Sequence, residues 1–200
     1  GWSVKRMDQL TSKIGSGSTP RGGKGAYKDE GVSLIRSKNV HDYRFLLKNL
    51  VYIDDAQAEK LSNVEVKTND VLINITGASV ARCCVVPDYV LPARVNHHVM
   101  IIRPLMVISN YLQCCLASPH YKSRLLGTSD GASTREALTK GDIEEFLVLV
   151  PDDDILNSFD LHMTTIFLKI DRLAQASKKL LEFREIILSK LAVSEGNEIH

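Results

Sequence analysis

Hydroxyl groups and cations are concentrated in one glycine-rich stretch near the start of the chain. It reads Ile14-Gly15-Ser16-Gly17-Ser18-Thr19-Pro20-Arg21-Gly22-Gly23-Lys24-Gly25. A Walker A phosphate loop needs Lys after its second glycine and then Ser or Thr, whereas here Gly23 follows Gly22 and Gly25 follows Lys24. The stretch therefore predicts no nucleoside triphosphate site. Its hydroxyls, backbone N–H groups and cations suit DNA phosphates and base edges, and the alternative is a solvated linker.

Further polar clusters lie beside short apolar runs, and their residue types can read DNA. Arg forms bidentate hydrogen bonds with guanine, Lys reaches guanine or phosphate, and Asn pairs with adenine. The candidate DNA contacts are Ser16, Ser18, Thr19, Arg21, Lys24, Arg36, Lys38, Asn39, Thr76, Ser79, Arg94, Asn96, His97, Ser133, Thr134 and Arg135. Base-edge or groove contacts are assigned to Arg36, Lys38, Asn39, Asn96 and Arg135, and phosphate contacts to Arg21 and Lys24. Ser133 also fits a helix capping box with Glu136, which is a purely structural alternative.

Catalytic and metal chemistry find less support in the residues. Asp70 directly precedes an apolar run, where capping of a turn is the simpler role. His97 and His98 are adjacent, so on a strand they face opposite sides and only one reaches a given site. Neither a GxSxG nor an HExxH motif occurs. We expect no catalytic residue and no metal ligand, and a hydrolase or nuclease built on Asp70, His97 or His98 stays an alternative.

The charge is distributed unevenly along the chain. The 200 residues include 25 Lys+Arg and 24 Asp+Glu, and 44% of them are hydrophobic. Residues 1–150 carry 19 Lys+Arg and 15 Asp+Glu, a net charge of +4, whereas residues 151–200 carry 6 and 9, a net charge of −3. A mildly basic first part is compatible with a DNA site there. No apolar run approaches the ~18–20 residues that span a bilayer, so no membrane partner is expected.

The cysteines occur as two adjacent pairs, Cys83-Cys84 and Cys114-Cys115. Adjacent cysteines rarely bridge each other, and the CxxC spacing of zinc sites is missing. They are therefore expected to be small buried side chains. Reduced thiols indicate a cytoplasmic protein.

The elements that position these residues form an α+β domain over residues 1–151. Two helical stretches, Asp55–Leu61 and Ser109–Leu116, interrupt a series of short strands, and this order argues against a doubly wound parallel sheet. The strands are predicted at Leu34–Ile35, Leu50–Ile53, Val71–Thr76, Cys83–Val86, Val99–Ile102 and Phe146–Val150.

A long helix is predicted over residues 152–193, with a tail over residues 194–200. Between Asp152 and Ala192 the sequence contains neither Gly nor Pro. Apolar residues alternate in steps of four and three, which is the seam of a dimerisation or spacer coiled coil ~55–60 Å long. The apolar seam residues are Phe159, Met163, Ile166, Ile170, Leu173, Leu180, Ile187 and Leu191, with Ser177 and Arg184 interrupting them. A coiled-coil adaptor whose globular head binds another protein explains this helix equally well.

The order of the segments resembles one half of the DNA-specificity subunit of type I restriction-modification systems. The resemblance extends over nearly the whole chain. The matching pieces are Trp2…Leu10, Gly15-Ser16-Gly17-Ser18-Thr19-Pro20, Leu34-Ile35-Arg36, Asn69-Asp70-Val71-Leu72-Ile73, Thr76-Gly77, Val95-Asn96-His97-His98, Ile101 and Arg103, Thr134…Leu138-Thr139…Asp142-Ile143, Val148-Leu149-Val150-Pro151, Lys169-Ile170-Asp171-Arg172-Leu173 and Leu180…Arg184…Leu188.

The resemblance implies a non-catalytic subunit with one target-recognition domain and one conserved helix. Such a domain reads one half of a split site in double-stranded DNA, and the helix docks methyltransferase subunits. The implied partners are those subunits, a restriction (translocase/nuclease) subunit, and either a second copy of the chain or the other half of a full-length subunit. S-adenosylmethionine and ATP would be bound by the partners, so no cofactor is expected on this chain.

Overall fold

The computed structural model describes residues 1–106, 108–127 and 136–197, except for the side chains of Lys178 and of residues 191–197. The strands are β1 (Ser3–Arg6), β2 (Thr11–Ser16), β3 (Val32–Ile35), β4 (Val40–His41), β5 (Arg44–Phe45), β6 (Val51–Ile53), β7 (Glu65–Val66), β8 (Val71–Asn74), β9 (Cys83–Val85), β10 (Ala93–Val95), β11 (Val99–Pro104) and β12 (Leu147–Val150). The helices are α1 (Met7–Leu10), α2 (Asp55–Lys60), α3 (Ser109–Ala117), α4 (Pro119–Leu126), α5 (Lys140–Glu144) and α6 (Asp153–Asn197). The predicted α+β class with a long C-terminal helix is confirmed.

Two sheets form the centre of the domain. The first, called the central sheet, is antiparallel with the order β2-β11-β8-β9. The second, called the outer sheet, has the order β6-β3-β10-β7, in which β3 and β10 run parallel. Short ribbons pair β1 with β12 and β4 with β5.

The central sheet is covered on both faces, and its inner strands β8 and β11 are apolar over residues 71–73 and 99–102. Val71 and Ile73 of β8 pack into a core with the helices, while Leu72 between them packs into a core with the outer sheet. Cys83 and Cys84 divide in the same way, and both are buried outside any disulfide bond. Alternate residues of a strand point to opposite faces, so a continuous apolar run is what a doubly covered sheet requires.

The sequence pattern predicts the interior strands better than the peripheral ones. Strands β3, β6, β8, β9, β11 and β12 and helices α2 and α3 occur where they are expected. The prediction missed β2, which reads Thr-Ser-Lys-Ile-Gly-Ser, because its polar and glycine residues resemble a loop. Pairing with β11 supplies the strand geometry that its composition does not favour.

Helix α6 begins with a cap. The Asp152 carboxylate accepts a hydrogen bond from the Ile155 N–H at 3.2 Å, which satisfies one free donor of the first turn. The chain divides into two compact units after Leu161. In the first unit, Leu156 is buried and the ring of Phe159 meets Tyr111 edge to face.

The second unit is the remainder of α6, and its large apolar side chains are mostly exposed. Met163 is half-buried in the single chain. The exposed side chains include the predicted seam residues Ile166, Ile170, Leu173, Leu180 and Ile187. Leu191 lies on the same helix, and its side chain is outside the described residues. Across the part of the chain that the structure describes, no helix has the length and hydropathy to cross a bilayer.

Candidate nucleic-acid interface

The first loop is fixed to the β10–β11 connection by close backbone contact. The N–H groups of Gly17 and Ser18 donate to the carbonyls of Val99 at 2.9 Å and Val95 at 3.0 Å. A Cβ atom at Gly17 would lie only 2.2 Å from the carbonyl oxygens of Val95 and Asn96. Glycine is required here because no side chain fits against that backbone. The contact places residues 16–19 beside residues 95–98.

Two histidines continue the polar surface from this loop to the end of β8. The Thr19 hydroxyl contacts Nδ1 of His97, and the rings of His97 and His98 have centroids 3.8 Å apart. The Thr76 hydroxyl lies 2.6 Å from Nδ1 of His98. Burial, and secondly the charge that His97 can carry, lower the pKa of His98. The predicted residues Thr19, His97 and Thr76 are therefore brought together.

A shallow depression of about 370 Å³ lies at this end of β8. Its lining comes from four separate segments of the chain: Ser37, Lys38, Thr76, Gly77, Ala78, Ser79, Arg82 and His98. Lys38, Thr76 and Ser79 are predicted contacts, so the fold gathers three of the candidates into one concave surface.

Asn74 positions the floor of the depression from below. Its buried amide NH₂ group donates to the carbonyls of Ser37 at 3.0 Å and Val40 at 3.2 Å. The same group donates to the Ser79 hydroxyl at 3.2 Å. One side chain thus links the segment after β3 to the turn after β8.

The turn after β8 is held by its backbone. Gly77 has φ +73°, a left-handed conformation that glycine adopts without strain. The N–H of Gly77 donates to the Glu136 carbonyl at 3.2 Å, and the Leu138 N–H donates to the Ile75 carbonyl at 2.8 Å. Residues 136–138 therefore support residues 75–77.

The depression has a positive electrostatic character. None of the described lining residues is acidic, whereas Lys38 and Arg82 are both cationic. Neither cation forms an ion pair within the part of the chain that the structure describes. The pKa of nearby His41 is lowered, mainly by burial and next by the charge of Arg82. An anion bound here would meet cations that are not already neutralised.

Three of the predicted DNA contacts are buried structural residues, and their assignment is corrected. Asn39 is fully buried: its amide oxygen accepts from the Arg36 N–H at 3.0 Å, and its NH₂ group donates to the Leu46 carbonyl at 2.9 Å. Arg94 donates from Nε to the Ala58 carbonyl at 3.0 Å and lies 3.7 Å from Glu65. Buried polar groups need such partners, so these side chains are occupied in the folded chain.

Asn96 is the third of these residues. Its side-chain oxygen accepts from the His98 N–H at 3.2 Å, and the side chain is buried. It shapes the turn that presents both histidines. The sequence cannot distinguish such a turn-forming amide from a base-reading one, because Asn suits both roles.

Arg36 is held in place rather than fully exposed. Its guanidinium lies 5.2 Å from the centre of the Tyr27 ring and donates to the Asn49 carbonyl. Its Nε atom is buried and has no hydrogen-bond partner. The orientation of this side chain is therefore fixed before any ligand arrives.

The remaining candidates divide into exposed loop residues and undescribed ones. Arg21 and Lys24 are exposed, on the loop whose Arg21 carbonyl accepts from Gln57 Nε2 at 3.3 Å. Ser16 is exposed and Ser18 is half-buried. The candidates Ser133, Thr134 and Arg135 lie outside the described residues.

Asp70 is a structural residue and lies far from the histidines. Its carboxylate caps the turn by accepting from the Lys67 N–H at 2.8 Å, as predicted, and it pairs with Arg103. Asp70 precedes β8, whereas Thr76 and His98 lie beyond its other end. At about 3.3 Å per residue, a strand of this length keeps Asp70 and His98 too far apart for a shared catalytic centre. Among the described residues, no group of three or more His, Cys, Asp or Glu side chains is suited to hold a metal ion.

Two residues at the depression, Asn74 and Arg82, were not singled out by the sequence. Asn74 organises the depression, and Arg82 lines it. A polar residue inside the apolar run of residues 71–75 is a signal for Asn74, because a buried amide requires hydrogen bonds. Arg82 gives no comparable signal, since its position depends on the bend at Ala81, which has φ +63°.

The fold and the site together define a class of chain: a mixed α/β domain with a positively charged polar surface at one end of its central sheet, followed by a long helix. No protein-family model and no curated protein matches the sequence. Solved structures do match the fold, and specificity subunits of type I restriction-modification systems are among them.

The HsdS subunit from Thermoanaerobacter tengcongensis is 19% identical, with a TM-score of 0.59 over 88% of this chain and 40% of that one. The S subunit from M. genitalium is 12% identical, with a TM-score of 0.61 over 88% of this chain and 41% of that one. A chain solved for the complex assembly and conformational transition of a type I system is 18% identical, with a TM-score of 0.58 over 88% of this chain and 40% of that one. The predicted resemblance is confirmed at the level of the fold, and this chain spans about two-fifths of the length of these subunits.

Proposed function

We propose that the chain is a non-catalytic specificity unit that recognises one half of a bipartite site in double-stranded DNA within a type I restriction-modification complex. The observation that carries this proposal is the convergence of separate segments on one depression of a domain that has the fold of specificity subunits, with two cations that have no ion-pair partner among the described residues. A ligand that suits hydroxyls, a histidine and two cations is polyanionic and carries hydrogen-bonding edges, as DNA does.

The proposed contacts divide by chemistry. Arg36 is suited to a guanine edge through its terminal Nη groups, because its contact with Tyr27 restricts the guanidinium while its Nε atom is buried. Lys38 and Arg82 at the depression and Arg21 and Lys24 on the first loop supply charge for phosphates. The hydroxyls of Ser16, Ser18, Thr19, Thr76 and Ser79, together with His97, provide further hydrogen bonds to phosphates or base edges. Asn39, Arg94 and Asn96 are left out of this interface because the fold occupies them.

The exposed apolar side chains of α6 support a second part of the proposal. A continuous exposed stripe of large apolar side chains marks an interface in most proteins. We assign α6 to docking of methyltransferase subunits and to pairing with a second copy or with the other half of a longer subunit. A two-fold pair would present two recognition domains and read an interrupted palindrome. Methyl transfer and cleavage, with S-adenosylmethionine and ATP, would belong to the partner subunits in the cytoplasm.

A methylation map tests the proposal. The chain is co-expressed with the adjacent methyltransferase subunit in an unmethylated host, and every modified adenine is located. We expect a recognition motif of two short sequences that are separated by a fixed number of unspecified bases. The double variant Lys38→Ala/Arg82→Ala removes two proposed phosphate contacts and should lower methylation at every copy of that motif, because phosphate contacts carry no sequence information.

The matched control is Lys67→Ala, which removes an exposed cation at the opposite end of β8 and should leave the extent of methylation unchanged. A soluble complex that methylates no defined motif would contradict the recognition role. If no complex forms and the chain instead binds other proteins through its head, the coiled-coil adaptor is the better account.

A further inference from the structure

Strand β1 is an edge strand whose outer side is open. Within the described part of the chain it pairs with β12 alone, and all four of its residues are exposed. Val4 lies opposite Leu149 in the antiparallel register, and Lys5 lies opposite Val148. An edge strand presents backbone N–H and C=O groups to which a further strand can bind.

The hydrogen bonds of Leu149 show which backbone groups of β1 point outward. The Leu149 N–H donates to the Tyr121 hydroxyl at 3.0 Å, and the Leu149 carbonyl accepts from the Tyr111 hydroxyl. Both groups point away from β1, so Val4 and Leu149 form a non-hydrogen-bonded pair of the ladder. In such a pair the N–H and C=O groups of Val4 point away from β12 as well, toward the open edge.

The open stretch of this edge ends at Arg6. The Arg6 N–H donates to the side-chain oxygen of Gln9 at 3.0 Å, and the Arg6 guanidinium pairs with Asp8 at 2.7 Å. Helix α1 therefore occupies the edge on that side. The backbone groups that a further strand can reach are those of Val4 and of the residues before it.

The face of the ribbon beside this edge is apolar. Val4 is 63% exposed, Trp2 just before the strand is 57% exposed, and Leu147 and Leu149 are each 42% exposed. A contiguous exposed apolar surface of this kind marks a binding site. An added strand can cover it with every second side chain, because alternate residues of a strand point to the same face.

The charge of the edge indicates which kind of strand fits. Lys5 is exposed and has no ion-pair partner among the described residues, and β12 contains no charged residue. A lysine on an edge strand opposes pairing of two identical edges, because two copies would bring like charges together. It favours an added strand that carries a carboxylate opposite Lys5.

We propose that the outer edge of β1 binds an extended segment of a partner protein in which apolar and acidic residues alternate. The segment adds a third strand to the ribbon of β1 and β12. One of its residues exchanges N–H and C=O hydrogen bonds with Val4, and its apolar side chains cover Trp2, Val4 and Leu149. A carboxylate on its opposite face pairs with Lys5. Backbone hydrogen bonds supply the affinity in this binding mode, and alternate side chains supply the selectivity.

A synthetic peptide of sequence Thr-Val-Glu-Val-Glu-Val-Thr, acetylated and amidated, tests this binding mode. The full chain is titrated with the peptide, and binding is followed by isothermal titration calorimetry and by the emission of Trp2, the only tryptophan in the chain. We expect binding that shifts Trp2 emission to the blue. Methylation of the backbone nitrogen of the central valine should weaken binding about ten-fold, because it removes the donor to the Val4 carbonyl.

Val4→Pro is the matching change in the chain. It removes the outward N–H and should also weaken peptide binding about ten-fold. Proline is tolerated on an edge strand where its nitrogen faces solvent, so the variant should stay folded, as circular dichroism can verify. Val4→Ile is the control, since it keeps the N–H and the apolar side chain and should change the affinity by less than about two-fold.

Equal affinities for the plain and N-methylated peptides, or equal affinities of the Val4→Pro and Val4→Ile variants, would overturn strand addition at β1. Absence of binding, or tighter binding of a peptide with lysine in place of both glutamates, would overturn the acidic and apolar chemistry of the partner. Self-association of the chain that Val4→Pro abolishes in sedimentation velocity would show that a second copy occupies the edge instead. None of these outcomes bears on DNA recognition at the depression, which the methylation map tests separately.

Discussion

The two ends of strand β8 use charged residues in opposite ways. At the Asp70 end, the Arg103 guanidinium binds the buried carboxylate with Nε at 2.7 Å and Nη2 at 2.8 Å, and Nη2 also donates to the Glu65 carbonyl at 3.0 Å. This contact raises the pKa of Arg103 further above its ordinary value. At the Asn74 end, Lys38 and Arg82 line an open depression without an ion-pair partner among the described residues.

The comparison separates charges that stabilise the fold from charges that are available to a ligand. A buried carboxylate is tolerated only when it is paired and hydrogen-bonded, and Asp70 meets that condition. Unpaired cations on a concave polar surface do little for folding, so their effect is expected on binding. Variants at the two ends should therefore alter different properties.

The largest expected effect is that of Arg103→Ala. It leaves the buried Asp70 carboxylate without its counter-charge and should lower the free energy of unfolding by about 3–5 kcal/mol. Urea denaturation followed by circular dichroism measures the change. Arg82→Ala, the matched arginine at the open end, should change that free energy by less than about 0.5 kcal/mol. Equal losses of unfolding free energy for the two variants would contradict the division between charges that stabilise the fold and charges that are available to a ligand.

Asn74→Asp should cost about 2–3 kcal/mol of unfolding free energy. The substitution removes a buried donor group and places a carboxylate oxygen against the Ser37 and Val40 carbonyls. Because the same amide group holds Ser79, DNA selectivity should fall even where the variant is folded. Full selectivity in the folded variant would show that Asn74 does not position the depression.

Gly17→Ala should lower stability by about 1–3 kcal/mol, since the new methyl group must displace the backbone of Val95 and Asn96. Gly25→Ala is the control, because a Cβ atom there meets nothing within 4 Å. Thermal unfolding of both variants measures the difference. A Gly17→Ala protein as stable as Gly25→Ala would contradict the close contact between the two loops.

A smaller, pH-dependent effect is expected from His98. Its pKa is lowered, so the stabilising contribution of the neutral ring is present above pH 6.5 and is lost as the pH falls through the lower folded-state pKa. A bound phosphate favours the protonated ring, so DNA affinity should rise as the pH falls through the same range. Each pKa unit by which bound DNA raises the pKa of His98 corresponds to about a ten-fold gain in DNA affinity at low pH.

NMR titration of the His98 ring with and without duplex DNA measures this shift. His98→Gln should remove it, and His120→Gln, at an exposed position of helix α4, should not. An identical titration curve in the presence of DNA would exclude His98 from the interface.

The apolar framework was predictable from the sequence because burial has a clear signature. Runs such as residues 71–75 and 99–102 alternate between two cores, and the seam of α6 follows a regular spacing. The site was only partly predictable. Thr76 and Lys38, which the sequence singled out, line the depression, but Asn39 was assigned to DNA and instead closes a turn inside the domain. Whether a polar side chain faces inward depends on long-range packing, which local residue types do not encode.

The most direct test of the central claim is the salt dependence of DNA binding. The dissociation constant of the chain, in complex with its methyltransferase subunit, is measured against salt concentration on the duplex that the methylation map identifies. Lys38→Ala/Arg82→Ala should weaken binding and reduce the slope of log K against log salt by up to about 1.8, since each phosphate contact contributes about 0.9. Lys67→Ala should leave the slope unchanged. An unchanged slope in the double variant would contradict the assignment of the open end of β8 to DNA.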